Sequence, residues 1–571
     1  MIKKYKTSLM RAEWLIPVII FTCAFAIRLA FTMQVKDSLY WRVPLVDALS
    51  YNESAKLILD DGWLAPYRTS EMPYSPYYQP PFYQAFLALI YLIFGRSVFT
   101  AIIIQYLLGS LCCVLTYFLG RRFFDRRTGV AAGIAMAFTS SQIFYEGRLL
   151  PPVLIIFFNL TIILLASKQL KSPVTWRWPV IGLLLGLSAI TRPDILLFAP
   201  ALLFWMWMER KTVLTIRPLL AAAMVLAPIV LIIGLVAARN YYVGGDSVII
   251  SYNGGINLYI GNNPNMEMTL GIRPGIRWEA IESEPMLRHG IQSMSKWDRW
   301  LYQFTFKTMW KCKRATLSNF VRKSIWVWHG PEIRRNEDDY YLTRVSSIYR
   351  MLLWRKGNFG FPFGVIAPFA LLGIMLSMKR RRELFLLYAF VITQVMMLVL
   401  FFPCSRYRVP LTPVLLLFGA AAAFELVDLI RRKRFGDTLP LLFTLGAFGI
   451  MSTLCPPRFE GSPKQIEAEN YRLLANSYYM DGQTDVSIEM AKKGVEIMPK
   501  DPDLHKWLFE AYITKQDYAN AEKEGLAVIR LVPSYLPIYR KMVDIYEAEG
   551  KYAEARKLKQ YIGMTAPIKP K

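Results

Sequence analysis

The chain has 571 residues, 54% of them hydrophobic and 14% aromatic, and a formal charge of +26. A composition this apolar excludes an ordinary soluble protein of the same length, whose surface must be largely polar. The charge would suit a nucleic-acid partner, but the basic residues sit in short clusters between apolar runs, as in the cytoplasmic loops of a membrane protein, and nucleic acid is set aside.

The basic start, Met1-Ile-Lys-Lys-Tyr-Lys6, precedes an apolar run over 14–33 with no small-residue cleavage site after it. It therefore reads as a first span rather than a signal peptide. Further apolar runs lie near 97–120, 130–144, 152–167, 178–191, 194–208, 217–238, 360–378, 384–402, 409–430 and 438–455, giving eleven predicted spans. Several are short for a hydrocarbon core of about 30 Å, which suits helices packed inside a bundle. With the N-terminus inside, eleven spans put the clusters Arg121-Arg122, Arg126-Arg127, Lys168 with Lys171, Arg210-Lys211, Lys379 to Arg382 and Arg431 to Arg434 all on the cytoplasmic side. That is what the positive-inside rule requires. The long polar segments 34–96 and 240–358, and the C-terminal tail, then lie outside. The expected location is a bacterial inner (cytoplasmic) membrane.

The first outer segment holds Pro44-Leu-Val-Asp47-Ala-Leu-Ser-Tyr51, where a helix is predicted with Ala48, Tyr51, Ala55 and Ile58 as an apolar stripe. Such a stripe fits a helix lying in the membrane interface. Asp47 opens this helix, either as its N-cap or as a functional carboxylate. A second interfacial stretch, Gln79 to Gly95, follows a tyrosine- and proline-rich loop.

Charged residues at predicted outer helix ends are candidates for chemistry: Arg28, Glu146, Arg148, Arg192, Arg239, Arg406 and Arg408. The plainer alternatives are snorkelling of Arg28, pairing of Arg148 with Glu146, and pairing of Arg192 with Asp194. The run Asn253-Gly-Gly-Ile-Asn257 through Asn263 is expected to make turns that pass close to a ligand, since glycine and asparagine tolerate positive φ. Six cysteines and three histidines (His289, His329, His505) show no ligand spacing, so no metal site is assigned. Cys404 and Cys455 both fall near outer helix ends.

After Cys455 the composition turns soluble and helical, and four classes of position keep one period of 34 residues. They are Tyr478, Tyr512, Tyr546; Leu474, Leu508, Met542; Ser487, Ala521, Ala555; and Pro499, Pro533, Pro567. Small residues at a helix crossing, aromatic wedges and a closing proline make the tetratricopeptide pattern, whose stacks usually bind proteins. The expected domains are a membrane domain over 1–458 and a repeat domain over 465–571.

In order along residues 12–455 come the acid Asp47, Pro80-Pro-Phe-Tyr83, Glu146-Gly-Arg148, Arg192-Pro-Asp194, Arg239-Asn-Tyr241, the 253–263 run and Ser405-Arg-Tyr-Arg-Val-Pro410. This order resembles the GT-C superfamily of polyprenyl-phosphate-sugar-dependent glycosyltransferases, in particular its bacterial protein mannosyltransferase and lipid A aminoarabinose transferase branch. The chain departs from the family in having Ala48 after Asp47, where two acids often stand together. It also has Gln79-Pro80-Pro81 where the aminoarabinose branch has Lys-Pro-Pro. The resemblance implies an all-α, polytopic membrane bundle and assigns the first-loop acid, Asp47, as catalytic base.

Chemistry agrees with the residue types. Displacing a polyprenyl phosphate from an anomeric carbon needs a base for the acceptor hydroxyl and cations for the leaving phosphate. Arginine suits the second task, being permanently charged and able to grip phosphate with two N–H groups. Arg148, Arg192, Arg239, Arg406 and Arg408 are the donor candidates, Glu146 an orienting acid, and Tyr51, Asn253 and Asn257 acceptor-side or loop residues. The expectation is thus an inverting glycosyltransferase. Its donor is a polyprenyl-phosphate-linked sugar and its acceptor an extracytoplasmic protein, glycan or lipid. A protein partner binds the repeats, no cofactor is required, and no carboxylate cluster demands a divalent ion. The alternatives are a flippase for lipid-linked glycan, disfavoured because no paired broken helices are seen, and a non-catalytic anchor, which leaves the many spans unexplained.

Overall fold

The computed structural model describes residues 2–64, 77–291 and 293–565, and it is almost wholly helical. Among the described residues, five helical stretches are long and apolar enough to cross a membrane: Trp14–Val35, Val98–Phe123, Pro218–Gly244, Phe363–Arg380 and Ser405–Arg431. Among the described residues, shorter apolar helices accompany them at Phe82–Phe94, Pro152–Lys168, Arg177–Ala189, Pro193–Met208, Phe385–Leu400 and Phe435–Met451. The chain is a multi-pass membrane protein. In hydrocarbon, backbone N–H and C=O groups must find partners within the protein, and helices do this segment by segment.

Small residues set how closely the helices approach. A Cβ at Gly129 would stand 2.5 Å from the Tyr117 carbonyl oxygen, and one at Gly373 would stand 1.9 Å from that of Phe418. Without side chains there, the backbones of Arg126–Ala137 and Phe363–Leu376 lie directly on their neighbours, the usual device of membrane bundles.

One expected span takes a different form. The run 130–144 divides into Arg126–Ala137 and Ser140–Glu146, because Thr139 is extended (ψ 114°). Every residue of the second piece is buried, so the break is surrounded by protein, and Gln142 Nε2 donates to the Val409 carbonyl (3.1 Å). A broken helix at membrane depth is tolerated under that condition.

The stripe on Asp47–Asp61 also meets a different partner from the one expected. Ala48, Tyr51 and Ala55 are buried against the helix Phe82–Phe94 rather than facing lipid. Tyr51 meets Tyr83 edge to face (4.9 Å between ring centres), and Tyr91 Oη donates to Asn52 Oδ1 (2.6 Å). The stretch 65–76 of this first polar segment lies outside the described residues. In the second long polar segment, most of the asparagine-glycine run is helix, Gly254–Gly261, and the chain bends only after it, at Asn262 and Asn263. Helices Met266–Leu270, Ile276–His289, Met294–Lys311 and Lys313–Trp326 follow, then an antiparallel pair, Trp354–Lys356 with Phe359–Phe361. Cys404 is buried and Cys455 exposed, and both are free thiols.

The tail consists of consecutive helix pairs, Pro463–Met480 with Thr484–Ile497, Pro502–Thr514 with Tyr518–Leu531, and Leu536–Ala548 with Tyr552–Thr565. Ser487, Ala521 and Ala555 are buried on the second helix of each pair. The turns within the pairs place Gly482 (φ 81°), Gln516 (φ 60°) and Gly550 (φ 73°) in the left-handed region at the same 34-residue spacing. Pro567 lies outside the described residues. The connection into the tail is packed rather than open: Phe459 and Glu460 are buried, and Leu473 joins the core of the membrane bundle.

Candidate active site

A cavity of 430 Å³ opens where the ends of several helices meet the two long polar segments. Pro151, Ile155 and Pro193 line it together with Asp47, Arg192, Arg335, Arg406, Asn253 and Trp278, among others.

Asp47 reaches the cavity through a strained start to its helix. The residue before it, Val46, takes φ 49° and ψ −115°, a conformation rare for a β-branched side chain. Val46 is the N-cap residue, and no side-chain capping bond is made. Of the two sequence readings for Asp47, the cap does not hold. Its carboxylate instead pairs with the Arg406 guanidinium, and its Oδ2 accepts from Asn336 Nδ2 (3.3 Å). Both partners keep some exposure to the cavity, 25% for the Asp47 side chain and 19% for that of Arg406. Strain held at a site by surrounding structure is a common mark of function.

Arg406 also donates to Tyr407 Oη (3.2 Å), and the Tyr407 ring carries Arg406 at 5.1 Å and Arg192 at 5.3 Å from its centre. Arg192 pairs with Asp194, as its sequence alternative proposed, yet both still line the cavity. A third arginine, Arg335, enters from the second long polar segment. Its Nη1 donates to the carbonyls of Leu270 (2.6 Å) and Ile272 (2.8 Å), and it lies beside the Trp278 and Phe402 rings. Burial holds its pKa below the ordinary arginine value. Burial, reinforced by the Asp47 charge, pushes the Tyr51 hydroxyl up. Among the described residues, the lining therefore holds three arginines against two carboxylates, Asp47 and Asp194, an environment suited to an anion.

Asp47, Tyr51, Arg192, Asn253, Asn257 and Arg406 are thus brought together, Asn257 bonding the Asn253 carbonyl at 2.7 Å. The other candidates are not. Glu146 is wholly buried in a two-bond pair with Arg28, where Gly109 leaves it room: a Cβ there would stand 2.1 Å from Glu146 Oε2. Arg148 pairs with Glu337 (2.7 Å), donates to the Tyr40 carbonyl and stacks on Tyr40, Trp41 and Phe144. Arg408 pairs with Glu332 (2.9 Å), donates to the His329 carbonyl and lies 3.5 Å from the centre of the Phe363 ring. Arg239 donates to the Trp63 carbonyl (3.2 Å) and covers the Trp63 ring.

Arg335, Asn336 and Trp278 escaped the sequence reading. A signal existed in Pro331-Glu-Ile-Arg-Arg-Asn-Glu-Asp-Asp339, a dense charged run whose acids Glu332 and Glu337 neutralise Arg408 and Arg148. Within the same run, burial and the neighbouring Glu332, Asp338 and Glu337 push the Asp339 carboxyl well up, while Tyr145 Oη donates to it (3.2 Å). Among the described residues, no group of three or more His, Cys, Asp or Glu side chains is placed to hold a metal ion.

Residues 78–233 match the family model for dolichyl-phosphate-mannose-protein mannosyltransferases. No curated protein matches the chain. Among solved structures, the chain is similar to the oligosaccharyltransferase AglB of Archaeoglobus fulgidus in complex with an inhibitory peptide and a dolichol-phosphate. That alignment has 14% identity and a TM-score of 0.43, and covers 81% of this chain but 58% of AglB, so the chain spans less than two thirds of that protein. It is also similar to ArnT of Cupriavidus metallidurans bound to undecaprenyl phosphate, with 13% identity, a TM-score of 0.40, and coverage of 93% and 80% of the two chains.

Proposed function

We propose that this chain is a membrane glycosyltransferase of the GT-C superfamily that moves a sugar from a polyprenyl-phosphate carrier to a hydroxyl of an extracytoplasmic protein, glycan or lipid, with inversion. The observation that carries this reading is the grouping of Arg192, Arg335 and Arg406 around one cavity with Asp47 at its edge. Asp47 takes the proton of the acceptor hydroxyl as its oxygen bonds to the anomeric carbon. The bond from that carbon to the phosphate oxygen breaks, and the electron pair leaves with the polyprenyl phosphate. The arginines receive this charge as fixed cations already in place around the leaving phosphate. Arg406 pairs with Asp47, and an arriving phosphate competes for Arg406 and frees the carboxylate to act as base. Glu146, Arg148, Arg239 and Arg408 stabilise the walls rather than touch the donor.

The membrane is a bacterial cytoplasmic membrane, with the cavity and tail outside. Contacts among the basic clusters support this orientation: Arg380 donates to the Phe123 carbonyl (3.0 Å), Arg127 pairs with Asp428 (3.0 Å), and Arg382 with Glu209 (2.8 Å). One end of the bundle thus collects positive charge, as a cytoplasmic face does. The tail, with its 34-residue period, is a tetratricopeptide array of residues 465–571 that offers a protein-binding surface. The test incubates purified protein with radiolabelled polyprenyl-phosphate sugars and membrane extract. Label should pass to an acceptor as polyprenyl phosphate accumulates, and failure with every donor would overturn the reading.

A further inference from the structure

Residues 270–279 face two ways. Toward the cavity, Pro274 and Trp278 form part of its wall, and the carbonyls of Leu270 and Ile272 seat Arg335. Away from it, the same residues are held by the C-terminal helices. Arg273 pairs with Glu469 (3.2 Å), and Glu279 accepts from Lys506 Nζ (2.7 Å) and Tyr535 Oη (2.6 Å). The Ile276 side chain is buried in the tail's own core. Between these grips, Asp503 Oδ1 accepts from the Ile276 backbone N–H (2.7 Å).

That last bond supplies what the local sequence lacks. The helix Ile276–His289 follows Pro274-Gly275, neither of which can offer a capping oxygen from its side chain. The first N–H groups of a helix need such acceptors. Here a carboxylate 227 positions away provides one. Gly275, at φ 152°, makes room for it, since a Cβ would stand 2.3 Å from the same oxygen.

We infer that Asp503 is a positioning residue: by capping the helix that begins at Ile276, the tail sets the cavity wall and the seat of Arg335. The effect on transfer rests on the function proposed above; the effect on the wall does not. A tail whose second helix pair is shifted by a bound partner would shift this wall as well, so occupancy of the tail and affinity for the donor are linked.

Asp503→Ala in the full-length protein tests this, with Asp503→Asn as the conservative control because its amide oxygen can still accept from Ile276. Two measurements are made: hydrogen exchange of a peptide covering 270–282, and the kinetics of transfer. In Asp503→Ala, amides 276–279 should exchange faster, and KM for the donor should rise about fivefold with kcat nearly unchanged, the scale of one lost capping bond. Asp503→Asn should restore both. Unchanged exchange and KM in Asp503→Ala would overturn the inference. Faster exchange in a protein whose wild type transfers no sugar would uphold the wall's dependence on Asp503 and sink the transferase reading instead. Should Asp503→Ala fail to fold, Lys506→Gln removes a neighbouring grip and is read in the same way.

Discussion

Asp47 and Arg406, 359 positions apart in the chain, meet as an ion pair at the edge of the cavity. The pair joins the proposed base to a proposed phosphate ligand, so each substitution reports on both roles. Asp47→Asn keeps the size of the side chain and removes the proton acceptor. Turnover should fall about 100-fold or more. Binding of sugar-free polyprenyl phosphate should hold or tighten, because Arg406 is released, and a titration with that lipid checks it. An Asp47→Asn protein with near-normal turnover would remove the base assignment.

The cavity arginines should separate from the buried ones. Arg335→Met and Arg406→Met each remove a charged donor, and donor affinity should fall by roughly 10- to 100-fold, the equivalent of about 1.5–3 kcal/mol. Arg408→Met leaves Glu332 buried without its cation, which should cost about 3–5 kcal/mol of stability. The first two should show raised KM at unchanged melting temperature, the third a lowered melting temperature. The same melting temperature for all three would mean Arg408 is not structural.

Glu146→Gln tests the burial of the Arg28 pair. Removing one partner strands a charge in the bundle, with a loss of about 3–5 kcal/mol. Protein that still folds should transfer sugar at a rate near wild type once corrected for the folded fraction. Stable Glu146→Gln protein without turnover would return Glu146 to the chemistry.

The tail carries a pH-dependent contact. His505 Nδ1 lies 2.6 Å from Glu524 Oε2, and this bond, outweighing burial, raises the imidazole pKa above its ordinary 6.5. A raised folded-state pKa means that the folded protein binds the proton more tightly than the unfolded chain. The stabilisation is therefore complete below pH 6.5 and is lost as pH rises through the folded-state value. Melting of the tail should fall across that window in wild type and stay flatter in His505→Gln. Equal pH slopes for the two would discard the contact as a source of stability.

Orientation can be read with reporters. An enzyme active only outside the cytoplasm should work when fused after Lys571 and fail when inserted at Arg380. The reverse pattern would place the cavity on the cytoplasmic side and exclude an outer-face transfer.

Much of this was legible along the chain, for a physical reason. A bilayer selects long apolar runs and sorts basic residues to one side, and both signals are local in sequence, so the helices around Val98–Phe123 or Pro218–Gly244 need no tertiary information. The 34-residue period is equally local, because each helix pair repeats the same contacts with its neighbour. For Asp47 the local sequence left a helix cap and a functional carboxylate both open, and only the family resemblance favoured the second. What only the tertiary structure decided is which charges share a space. Arg148, Arg239 and Arg408 look like Arg192 and Arg406 in sequence, since each is an arginine at a helix end. Their partners, Glu337, Trp63 and Glu332, come from distant segments, and a buried charge must settle where its partner is. The same holds for Arg335, whose place follows from carbonyls at 270 and 272, and for the wall itself, whose capping carboxylate is Asp503 in the tail. Periodicity and hydropathy describe what each segment buries; only packing brings residues hundreds of positions apart to one cavity.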